Sequence, residues 1–140
     1  MCGEIDEDVQ VDNEIFARFL QIARQHGVAP STGQSVVPDL AEASGRSAYM
    51  DTLFAAGLVR AASDANAATE GQRVDAIAAQ AIAFARLAGF LAGNLPPEAD
   101  LFRATIEAVT DGHAMPRRTA EKLRHNHGHH HGHHHHDHDH

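Results

Sequence analysis

The residues best suited to chemistry stand at the carboxyl end, where the sequence from position 125 reads HNHGHHHGHHHHDHDH. His125, His127, His129, His130, His131, His133, His134, His135, His136, His138 and His140 make up 11 of the 13 histidines of the chain. Neutral imidazole suits nickel, zinc, copper and cobalt and has little use for magnesium or calcium. Asp137 and Asp139 add oxygen ligands, or acceptors for the second imidazole N–H. At roughly three or four nitrogens per ion, this set would hold about three ions, each exchanging among many similar ligand combinations. Such redundancy suits storage, buffering or delivery; catalysis needs ligands fixed in one geometry with an open position. Nothing in residues 125–140 can bury apolar area, so the segment is expected to be disordered.

In composition this tail resembles the histidine-rich ends of nickel-delivery accessory proteins for urease and hydrogenase. The resemblance covers residues 125–140 alone and implies that the bound ion is cargo. Nickel or zinc is the expected ion, with copper or cobalt as further candidates. No GxxxxGKS/T phosphate loop occurs, so the nucleotide-driven members of that group are not matched. Residues 1–124 resemble no family as a whole. Met1-Cys2-Gly3 resembles the opening of glutamine amidotransferases that use an N-terminal cysteine nucleophile, but the chain is too short and too helical for that catalytic domain. A thiol beside an amine is also a good soft-metal ligand.

No enzyme is expected. The body has no nucleophile–base pair, no HExxH or ExxH pair on a helix, and Cys2, His26 and His113 are dispersed. No catalytic or cofactor-binding residue is assigned. The formal net charge of -8, from 19 acids against 11 bases, argues against a nucleic-acid partner held by phosphate contacts. Leu40-Ala41, Gly45 and Ser47 superficially resemble a helix-turn-helix corner, yet Asp51 stands where that motif buries an aliphatic side chain. Residues 76–95 are apolar enough to raise the question of a membrane. Gln80, Arg86 and Asn94 argue against one, because an arginine near the bilayer centre is costly. One cysteine, and no basic start followed by an apolar run, make a reducing cytoplasm the expected compartment.

The elements that must carry the tail read as helices. The hydrophobic content of 43% is largely alanine, with no tryptophan and one tyrosine, which predicts closely approaching helices. Residues 1–12, holding Glu4, Asp6, Glu7, Asp8 and Asp12, read as a flexible acidic arm. A first helix is predicted over 13–26, capped by Asp12, stapled by Val11 and Phe16, and ended by Gly27. A short helix is predicted over 38–43, and another opening at Ser47 and running through Ala61, followed by a polar connection to Ala68. The longest helix is predicted from Thr69, boxed with Gln72, to Asn94; its wide apolar stripe implies that other helices surround it. A last packed helix follows from Pro97 to about Gly112, and Pro116 should break the chain before a basic linker, 113–124. Arg86 should lie at an edge or pair with Asp100 or Glu107.

The sequence thus predicts an all-α fold: four main helices and a short one in a small bundle around a central Ala-rich helix, spanning 13–112, with an arm and a tail outside it. Two functions fit. One is divalent transition-metal binding through the tail; the other is a protein–protein interaction module, with a protein partner or a homo-oligomer formed through the helical body and the tail incidental.

Overall fold

The computed structural model describes residues 3–31, 37 and 39–128, with 3–7, 127 and 128 described by backbone alone. The all-α expectation holds: four α-helices and two 3-10 turns, with no strand among the described residues. They are α1 (Gly3–Gln25), α2 (Ala43–Ala67), α3 (Arg73–Ala92) and α4 (Leu101–Gly128). The chain divides into two compact units, Met1–Pro96 and Pro97–His140. The division falls inside the segment expected to form one domain, at consecutive prolines that cannot continue α3.

In the first unit, α1 starts at Gly3, so residues 3–12 of the expected arm are helical and Asp12 is an interior residue, not a cap. Acids at the start of a helix meet the positive end of its dipole, which favours helix over a free arm. Gly27 ends α1 as expected. At φ 73° it takes the left-handed conformation that glycine adopts without cost, and the turn closes with Val28 N–H donating to Ala23 O (3.0 Å) and Gly27 N–H to Arg24 O (3.0 Å). The covered side of α1 is Ile15, Phe19, Leu20, Ile22 and Ala23, at helical spacing, while Phe16 of the expected staple is exposed.

The short helix expected over 38–43 does not form: 39–42 are a turn and Ala43 already belongs to α2. The Asp39 carboxylate accepts the Ala41 N–H at 2.9 Å, and Arg46 Nη1 donates to the carbonyls of Leu40 and Ala41, both at 2.9 Å. These contacts hold a turn directly before α2, which therefore begins at Ala43 and not at Ser47. Gly45 permits the fold-back: a Cβ there would collide with the Asp39 carbonyl oxygen. At its other end α2 runs on to Ala67, through the stretch expected as a connection. Alanine is the best helix former, and the Arg60–Asp64 pair (2.7 Å, four residues apart) lies along that turn. Asp64 raises the Arg60 guanidinium further above its ordinary range, by a hydrogen bond first and by its charge second.

The central helix is entered through a 3-10 turn, Glu70–Gln72, so α3 starts at Arg73 and Thr69 makes no side-chain cap bond. Its end is closed by Asn94, whose Nδ2 donates to Phe90 O at 2.7 Å, and by Gly93 N–H to Gly89 O at 2.9 Å. The expected enclosure does not occur: no residue of α3 is buried. Among the described residues of the whole chain only Ala23 and Ala65, each 8% exposed, are buried. α2 packs on α3, but in this unit only one further helix is available, and α1 meets α3 through its carboxyl end.

In the second unit, a 3-10 turn at Pro97–Ala99 and Asp100, at φ 48°, precede α4. α4 does not stop near Gly112. It continues through Pro116, the linker and the first four tail residues to Gly128. A helical proline costs one N–H and crowds the carbonyl four residues earlier. Arg118 Nη2 donates to Asp111 O at 3.3 Å, and Thr119 Oγ1 to Met115 O at 3.0 Å, so side chains supply hydrogen bonds around the interruption. Exposed pairs, Arg103–Glu107 at 3.3 Å and Arg117–Glu121 at 3.4 Å, line the outer side. Asp100, at 3.9 Å, and Glu107 pair with Arg103; Arg86 is exposed on α3.

Candidate metal centre

Of the eleven proposed ligands, only His125 and His127 fall on a described element, the last turns of α4. His125 is exposed there. The backbone is helical through Gly128, so residues 125–128 depart from the expected disorder, and the rest of that expectation lies outside the described residues. On a helix, positions two apart, such as 125 and 127, do not share a face. His129, His130, His131, His133, His134, His135, His136, His138 and His140 lie outside the described residues, as do Asp137 and Asp139.

The sequence just before the tail is basic, with Arg117, Arg118, Lys122 and Arg124 against Glu121. Glu121 is engaged by Arg117 at 3.4 Å, so it is not a free carboxylate for His125 one turn on. A divalent cation is repelled by four such bases over about 8 Å at physiological ionic strength, which favours ligands farther along the chain.

The other histidines are accounted for by the fold. His26, in the turn after α1, sets its ring edge-on to Phe90 of α3, with centroids 5.3 Å apart and planes at 89°. His113 is exposed on α4. Cys2 lies outside the described residues. Among the described residues, no three His, Cys, Asp or Glu side chains converge on a point where an ion could sit.

The helix Glu70–Ala92 is long and apolar enough to cross a membrane, by length and composition alone, and none of its apolar window is buried. Comparison with family models, with characterised proteins and with solved structures finds no match to this chain.

Proposed function

We propose that this protein binds divalent transition-metal ions, nickel or zinc foremost, through the histidines of residues 125–140, as storage, buffering or delivery and without catalysis. The observation that carries this reading is the concentration of 11 of 13 histidines into the last 16 positions. Crowded imidazoles outnumber the three or four nitrogens an ion takes, so several ions bind and exchange readily. Copper and cobalt fit the same ligands. The single cysteine fits a reducing cytoplasm, where a thiol-poor, imidazole-rich chain keeps its ligands whatever the redox state.

The test is calorimetric titration of nickel and zinc into the full chain and into a chain ending at Arg124. The full chain is expected to take up about three ions, and the shortened one to lose multi-ion uptake while keeping its helix content. Undiminished uptake without the tail would refute the reading.

A second reading, an interaction module carried by the helical body, is favoured by a separate observation. Met50, Phe54, Leu58, Phe84, Leu87 and Leu91 stay 44–62% exposed on two helices that pack on each other.

A further inference from the structure

We propose that the α2–α3 hairpin is a self-association surface and that its occupant is a second copy of this chain, packed so that two hairpins form a four-helix arrangement. This rests on the interaction reading of the body, whose occupant it names; it does not depend on the tail.

The hairpin is covered near its connection and open away from it. Ala61, Asp64 and Ala65 of α2, and Ala76 and Gln80 of α3, are buried or half-buried. On the same side of α2, one or more turns farther from the connection, Met50, Phe54 and Leu58 follow at four-residue intervals. On α3, Phe84, Leu87 and Leu91 continue the three- and four-residue spacing that Gln80 begins. These six side chains are the half-exposed set named above. Beyond the sealed end the small Gly57, Ala88 and Ala92, and Phe90 against His26, are half-buried, while the large side chains of the seam stay about half in water.

Two quantities identify the occupant. Leu53 and Ile77, each 53% exposed, flank the six and bring the set to eight. At roughly 90–100 Å² of exposed area each, they present about 750 Å². A standard stable interface takes about 800 Å² from each partner, so a second hairpin matches the area on offer. Charge points the same way. Residues 43–92 hold Arg46, Arg60, Arg73 and Arg86 against Asp51, Asp64, Glu70 and Asp75, a net of zero in a chain of net -8. Identical surfaces meet without like-charge repulsion only where that net is small.

A lipid occupant is disfavoured. Arg86, near the middle of residues 76–95, offsets the insertion gain of the seven large apolar residues there (Ile77, Ile82, Phe84, Leu87, Phe90, Leu91 and Leu95), and Gln80 and Asn94 add to the cost.

The experiment is sedimentation velocity and light scattering on the full chain over about 1–100 µM. EDTA is present, so that metal bridging between tails contributes nothing. The expected result is a concentration-dependent rise from 15.1 kDa to twice that mass. Leu87→Glu and Leu87→Lys are each expected to weaken association about tenfold or more, with helix content by circular dichroism retained. An equimolar mixture of the two should recover it, a result that loss of folding could not give. A full chain that stays at 15.1 kDa throughout overturns the proposal. So does association that ignores both substitutions. In the monomeric case, binding of an apolar dye to the strip leaves the interaction reading standing with another protein as occupant. Co-sedimentation with phosphatidylcholine–phosphatidylglycerol vesicles would give the strip to a lipid surface, and binding to neither would remove both readings of the body.

Discussion

The imidazole of His26 stands perpendicular to the ring of Phe90, 5.3 Å between centroids, and this edge contact joins the end of α1 to the end of α3. Gly27 is adjacent and turns the chain out of the helix, so the ring is placed by a closed turn and not by a long mobile side chain. Phe90→Ala is expected to lower the stability of the first unit by about 1–2 kcal/mol, and a double-mutant cycle with His26→Ala to give a coupling of about 0.5–1 kcal/mol. Urea denaturation followed by circular dichroism measures both. Additive single-mutant effects would show that the rings are neighbours without mutual stabilisation.

Gly27 can be tested on its own. Its φ of 73° is one that a β-carbon makes unfavourable, and a Cβ there would meet nothing within 4 Å, so conformation alone decides the outcome. Gly27→Ala is expected to cost about 1 kcal/mol, and Gly27→Asn less, since asparagine tolerates this region. Equal losses for the two would mean that the backbone relaxes.

Gln80 carries a local penalty. Both amide atoms, Nε2 and Oε1, are out of solvent without a protein hydrogen-bond partner. Gln80→Met keeps the length and removes the polar group, and is expected to raise stability by about 1–2 kcal/mol in thermal or urea unfolding. A loss of stability would show that the amide is satisfied in solution.

Metal uptake by the tail should depend on pH in one direction only. Protons and metal ions compete for the same imidazole nitrogens, whose ordinary pKa is about 6.5. Nickel or zinc affinity is therefore expected to be full at about pH 7.5, to weaken as pH falls through about 6.5, and to be largely lost by about pH 5. Binding near neutral pH should also release protons, seen as a dependence of calorimetric heat on the ionisation enthalpy of the buffer. Affinity unchanged down to about pH 5 would exclude neutral imidazole as the ligand.

Much of the secondary structure was legible locally. Gly27 and the paired prolines after Asn94 stop helices where the sequence implies, because a left-handed glycine and a missing N–H act on the backbone within one turn. Local signals failed where two of them competed. The acids of 3–12 read as a flexible arm, yet acids also suit the first turns of a helix, and the structure makes them helical. Pro116 reads as a break, yet α4 passes through it, with Arg118 and Thr119 bonding nearby carbonyls. Thr69 and Gln72 have capping-box spacing, yet a 3-10 turn occupies that place.

The candidate site was legible as composition, since eleven imidazoles in sixteen positions need no fold to be counted. Ligand geometry was not, because a redundant low-complexity segment specifies no single pairing of donors. By itself the sequence determined that the chain is helical, that its helices carry apolar stripes, and where the imidazole nitrogens concentrate, since period and residue type are properties of the chain alone. Only the tertiary structure decided what covers those stripes. Burial depends on how many helices converge on a face, which spacing does not encode, and here α2 and α3 seal each other at Ala65 and Gln80 but leave Phe54 and Leu87 half in water.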